Sequence, residues 1–287
     1  MAISLRGALT APTLFATISN AKIAYRSIGE GQPLILCNRF RGTLDTWDPL
    51  FISHLAKSFQ VVLFDYPGVG LSQGLHQTTA ELLAKNLKEF MNALTLQQAI
   101  IGGWSYGGLV AQSFTALYPE LVSHLLVLGS NPPGENAVPP EQVFFDAALK
   151  PMNDFQDELV LFFEPASVAS VSAAEASHQR LALRESDLDI PVSQDQFNNY
   201  FLGGASFKED LHGTREKLYQ SDTPVLVVMG DHDPSFAIEN WYLLIKIAKN
   251  MQFIVLPQTG HGPHHQHPKL IAGYIKKFIS CTKKHKM

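Results

Sequence analysis

The chain has 287 residues, 46% of them hydrophobic and 17% charged, with a formal net charge of -4. That composition suits a large buried core, and the weakly acidic balance gives no attraction for phosphate backbones or anionic lipid, so neither nucleic acid nor a membrane is an expected partner. Two cysteines, Cys37 in an apolar run and Cys281 near the basic tail, make no disulfide framework. They are expected as free thiols in a reducing, cytoplasmic compartment. No apolar run is long enough to span a bilayer, and residues 1–18 lack the apolar stretch and cleavage site of a secretory signal.

Residues 13–18 and 22–27 read as a pair of early strands joined at Asn20-Ala21. Apolar strands follow at 33–37 and 61–64, each ending in a polar or glycine-containing loop. Between them, residues 47–59 place Leu50, Phe51 and Leu55 at helical spacing. Residues 79–94 form a clearer helix, with Leu82, Leu83, Leu87, Phe90 and Leu94 on one side and Thr79 as a start signal. A strand at 98–102, a helix at 106–118 stopped by Pro119, and a strand at 125–129 come next. This repeated order predicts an α/β fold, a mostly parallel sheet with helices on both faces acting as crossovers.

The rhythm breaks at Asn131-Pro132-Pro133-Gly134. Residues 143–149, 158–163, 173–183 and 196–202 read as helices, and no β-type run interrupts them. Alternation resumes after Thr223-Pro224 with a strand at 225–229, a helix at 235–249, a strand at 253–256 and a helix at 270–280. The expected organisation is one core, residues 1–130 and 215–287, interrupted by a helical insertion at 131–214.

Gly103-Trp104-Ser105-Tyr106-Gly107 has the form Gly-x-Ser-x-Gly, with a β-type run before it and a helical stretch after it. A serine presented on so tight a strand-to-helix turn is strained, and side chains two residues to either side would collide there. The helix that follows aims its N-terminal N–H groups at the hydroxyl, where negative charge would build. A serine hydroxyl becomes a competent nucleophile only beside a base, and an imidazole held by a carboxylate is the usual one. His261 lies after the strand at 253–256, behind Pro257-Gln258-Thr259-Gly260. Asp231 and Asp233 both lie on the turn after the strand at 225–229. The neighbouring His264, His265 and His267 raise the possibility of a metal site. No cysteine accompanies them, Pro263 breaks helical spacing, and no phosphate loop or dinucleotide fingerprint is present, so no metal or cofactor is expected.

Together with Gly29-x-Gly31-x-Pro33 and Asp65-x-x-Gly68-x-Gly70-x-Ser72, these segments resemble the α/β-hydrolase fold over nearly the whole chain. The resemblance implies catalytic roles in the order nucleophile Ser105, acid Asp233, base His261. Asp233 follows Gly230 by the family's three residues, with Asp231 the fallback. The other place that relatives use for the acid reads Gly129-Ser130-Asn131 and holds no carboxylate. An oxyanion hole is implied at the backbone N–H groups of Tyr106 and Phe40. Here Asn38-Arg39-Phe40 replaces the usual His-Gly opening of that loop. Arg39 therefore either reaches the substrate or, the commoner fate of a loop arginine, pairs with Asp45 or Asp65.

In relatives the insertion caps the active site. Its Phe144, Phe145, Phe155, Phe162, Phe163, Phe197 and Phe201, with Met152, imply an apolar pocket for an uncharged hydrophobic substrate. Trp104, beside the nucleophile, is expected to border the acyl pocket. The implied activity is serine hydrolysis of a small to medium hydrophobic ester. Lactonases, carbon–carbon bond hydrolases, cofactor-free haloperoxidases and slow ligand receptors share the same triad, and spacing does not separate them.

Overall fold

The computed structural model describes residues 5–282 apart from Asn20. Eight strands form one sheet: β1 Leu14–Ile18, β2 Ala21–Ile28, β3 Gln32–Cys37, β4 Phe59–Phe64, β5 Ala99–Trp104, β6 Val122–Leu128, β7 Val225–Gly230 and β8 Met251–Leu256. Their spatial order is β1-β2-β4-β3-β5-β6-β7-β8. The pairs β1–β2 and β2–β4 are antiparallel, and every later pair is parallel. The helices are α1 Leu5–Thr10, α2 Pro49–Leu55, α3 Ala80–Ala93, α4 Tyr106–Leu117, α5 Gln142–Ala148, α6 Phe155–Phe162, α7 Val168–Leu181, α8 Phe197–Glu209, α9 Thr214–Gln220, α10 Glu239–Tyr242, α11 Pro263–Gln266 and α12 Pro268–Cys281. None of the described helices is long and apolar enough to cross a membrane.

The central strands are apolar throughout because both sheet faces are covered. Ile35, Cys37, Ile101 and Val127 join one core with Leu87 of α3 and Phe114 of α4. Leu34, Leu36, Ile100 and Leu126 point the other way and join a second core with Phe51 of α2 and Ile275 of α12. Residue parity along each strand thus decides which layer a side chain enters.

β3 lies between β4 and β5, so the winding of the chain reverses there. At such a switch point the loops leaving the two strands diverge and open a crevice at their carboxyl ends. Residues 38–42 leave β3 at that crevice, and Ser105 leaves β5 beside them. The helices between β6 and β7 reach over the same edge. Phe144 of α5 meets the His261 ring edge-on at 6.1 Å, and Phe201 of α8 lies 5.6 Å from Phe40.

One expected element is reduced. Residues 235–249 do not form a single helix; α10 is four residues long and loose turns follow it. Of the large apolar residues Ile238, Trp241 and Leu244 are buried there, while Leu243, Ile245 and Ile247 face outward, so the buried stripe stops at Leu244 and nothing rewards a regular helix beyond it. The short helices α1, α9 and α11 carry too little periodicity to be read from sequence.

Candidate active site

β5 ends at Trp104 and α4 begins at Tyr106, leaving Ser105 alone on the turn with φ 58° and ψ -122°. A non-glycine residue held there costs on the order of 1–3 kcal/mol, which the surroundings must offset. Its N–H donates to the Leu128 carbonyl at 2.9 Å, and its carbonyl accepts from Gly108 N–H and Ser130 Oγ, both at 2.8 Å. The flanking glycines have a direct steric cause. A Cβ on Gly103 would overlap the Gly107 carbonyl, and one on Gly107 would overlap the Cys37 carbonyl. Gly103→Ala is therefore expected to destabilise the fold by about 3 kcal/mol or more. An unchanged urea midpoint would contradict that packing.

His261 and Asp233 are brought together by the loops after β8 and β7. Nδ1 of His261 lies 2.8 Å from Oδ2 of Asp233, and both side chains are buried. The other carboxylate oxygen, Oδ1, accepts the backbone N–H groups of Ser235 and Phe236, each at 2.8 Å. Asp231 faces away. Its Oδ1 meets His232 Nδ1 at 2.6 Å and the Thr259 N–H at 3.3 Å. Of the two candidate acids, only Asp233 reaches His261. Ser105 and His261 border the same small pocket, together with Phe40 and Phe144.

Trp104 does not border that pocket, contrary to expectation. It shares strand parity with Ile100 and points into the α2/α12 core, where it packs against Trp47, Phe162 and His264. Its Nε1 donates to the His261 carbonyl at 2.8 Å, so it supports the histidine loop from below.

The loop after β3 accounts for its unusual residues. Asn38 Nδ2 donates to the Phe64 carbonyl at 2.9 Å, and its Oδ1 accepts from Trp47 Nε1 at 2.7 Å. Asn38 is thus an internal brace. Gly42 N–H closes a turn on the Arg39 carbonyl, with Arg41 in the left-handed region at φ 58°. Phe40 N–H finds no acceptor among the described residues. Tyr106 N–H, first in α4, has no intrahelical partner.

Arg39 does not pair with Asp45 or Asp65, which corrects the structural alternative. Asp45 is taken by Arg26 at 2.5 Å and Arg184 at 3.4 Å. Asp65 lies against Asn38 and the carboxyl of Asp189, and burial with that second acid raises it well above the usual carboxylate range. Arg39 instead lies among aromatic rings beside the Ser105 pocket.

A chamber of about 320 Å³ opens from Ser105, walled by Phe40, Leu109, Phe144, Phe145, Tyr200, Phe201 and Phe236 among others. Of the insertion aromatics, Phe144, Phe145 and Phe201 line it. Phe155 packs on His178 instead, and Met152 is 85% exposed. Sequence reasoning missed Tyr200, Phe236 and Ser235. The last two directly follow the Asp233 turn, and that adjacency was the available signal.

His264 and His265 are buried in aromatic surroundings, while His267 is half-buried. His264 packs on Trp47, Phe51 and Trp104, and His265 Nδ1 lies 3.1 Å from Ser177 Oγ. Elsewhere, His76 lies between Tyr66 and Tyr200 with both ring nitrogens unpartnered among the described residues. Burial pushes His76 from 6.5 down to about 4. The unfolded chain therefore binds the extra proton between those values, so this group costs stability as pH falls from 6.5 towards about 4. Asp65 acts in the opposite sense, which a mutant comparison cancels. His76→Phe should lose less stability on acidification than the wild type, by at most about 1.4 kcal/mol per pH unit. Parallel stability–pH curves would contradict it.

Residues 32–268 match the alpha/beta hydrolase fold family, and the chain belongs to that family. It is 25% identical over 286 residues to a putative 2-succinyl-6-hydroxy-2,4-cyclohexadiene-1-carboxylate synthase of Bacillus subtilis (strain 168), spanning 93% of this chain and 98% of the relative. It is 27% identical over 256 residues to the pimeloyl-[acyl-carrier protein] methyl ester esterase of Klebsiella pneumoniae (strain 342), spanning 86% and 93%. An alpha/beta hydrolase fold protein from Chitinophaga pinensis has a similar structure, with TM-score 0.85 and 27% identity over 96% of this chain and 99% of that one.

Proposed function

We propose that the chain is a serine hydrolase that cleaves a carboxylic ester of a small to medium, largely hydrophobic substrate through an acyl-enzyme. The observation that carries this reading is the His261–Asp233 contact at 2.8 Å, opening on the same pocket as Ser105. With Nδ1–H donated to Asp233, the lone pair of His261 sits on Nε2. That nitrogen takes the Ser105 proton as Oγ attacks the ester carbon, and later returns it to the leaving alkoxide. Water then repeats the cycle and releases the acid. Negative charge on the tetrahedral oxygen faces the N–H groups of Tyr106 and Phe40. Residues 131–214 act as a cap that keeps the chamber apolar.

A relative named as a methyl ester esterase agrees with the reaction class. Two measurements test the reading together: turnover of short and medium p-nitrophenyl esters, and stoichiometric labelling by an alkyl fluorophosphonate with peptide mapping. The adduct is expected on Ser105. Turnover with an adduct elsewhere, or no turnover of any ester, would defeat it.

A further inference from the structure

The geometry points to a carboxylate-binding subsite beside Ser105, built on Arg39, so that the ester cleaved carries an anionic group close to its reacting carbonyl. This rests on the serine-hydrolase reading and narrows its substrate class. Ser105, Phe40 and Phe144 border two cavities of very different size. One is the apolar chamber of about 320 Å³; the other, of about 20 Å³, is also lined by Arg39, Arg41, Asn153 and His261. Since roughly 10–15 Å³ holds one water, the small cavity has room for about one or two heavy atoms, such as the oxygens of a carboxylate.

Among the described residues the Arg39 side chain makes a single hydrogen bond, from Nη1 to the Phe40 carbonyl at 2.6 Å. Its Nε is buried and has no partner among the described residues. The guanidinium lies 4.6 Å from the Phe162 ring centre and 5.2 Å from that of Trp104. No carboxylate pairs with it among the described residues. Glu158, whose charge acts on it from farther off, is held by His178 at 2.7 Å. Arg41, the other cation of the pocket, gives its donors to the carbonyls of Ala148, Lys150 and Pro151. Burial and the nearby Arg41 charge bring Arg39 down to about 10, which still leaves it protonated at neutral pH.

A buried cation without a counter-charge is costly, and proteins rarely keep one without a partner. The Nε–Nη2 edge, which makes no hydrogen bond among the described residues, is the planar fork that a carboxylate accepts in bidentate fashion. A neutral ester arm could accept hydrogen bonds from the fork but would offset none of its charge. The apolar part of the substrate then fills the large chamber, and a carboxylate turns its oxygens towards the small one.

The test separates binding from turnover. In the Ser105→Ala background, calorimetry compares monohexyl succinate and carboxymethyl hexanoate with their neutral amide isosteres, hexyl succinamate and carbamoylmethyl hexanoate. At least one anionic ester should bind on the order of 10²-fold tighter than its isostere, and Arg39→Met should remove that preference. Arg39→Lys should restore part of it. On the wild-type chain, propionate should inhibit p-nitrophenyl butyrate hydrolysis competitively while propionamide does not, a readout that needs no variant to fold. Equal binding of anionic and neutral esters, or equal inhibition by propionate and propionamide, overturns the subsite. Loss of the hydrolase reading would show separately, as ester turnover that survives Ser105→Ala.

Discussion

Ser105→Ala is expected to lower kcat for p-nitrophenyl butyrate by roughly 10⁵- to 10⁶-fold, with KM changed by less than about threefold. The asymmetry follows from what the side chain does. In the proposed reaction Ser105 Oγ supplies the bond-forming atom, whereas substrate affinity would come from the phenylalanines and Tyr200 lining the chamber. The backbone of residue 105 is fixed by Leu128, Gly108 and Ser130 through main-chain atoms, so alanine leaves the turn in place. The remaining N–H donors sustain a residual rate above that of water. Stopped-flow and steady-state kinetics check this. A rate within tenfold of wild type would remove Ser105 from the reaction.

Asp233→Asn should cost about 10⁴-fold in kcat/KM, and Asp231→Asn less than about threefold. The cause is the tautomer of His261. An asparagine at 233 can keep one oxygen on the N–H groups of Ser235 and Phe236, where Oδ1 now sits. Its amide NH₂ then faces Nδ1 of His261 as a donor, so the ring must carry its proton on Nε2. That nitrogen can no longer accept from Ser105. Asp231 has no such hold on the ring, being bound to His232 and Thr259 at the surface. Equal losses in the two variants would mean that the carboxylate acts through general charge rather than through the 2.8 Å contact.

Much of this was legible in the sequence, and the misses have physical causes. Both-face burial wrote β3, β5, β6 and β7 as unbroken aliphatic runs, and the turn at Ser105 wrote Gly103 and Gly107. Trp104 shows that adjacency in sequence to the nucleophile does not mean proximity to its pocket. Counting from Ile100 by twos places it on the opposite sheet face, with Trp47 and His264. Arg39 could not be assigned from sequence, since its fate depends on Arg26 and Arg184 having already engaged Asp45. The segment 235–249 held enough leucine and isoleucine to read as a helix. Exposure is a tertiary property, however, and Leu243 at 84% exposed gains nothing from regularity.

The hydrogen bond from Trp104 Nε1 to the His261 carbonyl joins positions 157 residues apart. Contacts of such separation carry the largest loop-closure entropy and form only as the non-local strand pairs assemble, which makes folding slow. During synthesis, the turn bearing Ser105 emerges long before β8 and the histidine loop exist. Until β8 docks against β7, His261 and Asp233 are not held together as they are in the folded chain. On the proposed mechanism, then, Ser105 gains its base only when β8 has docked against β7.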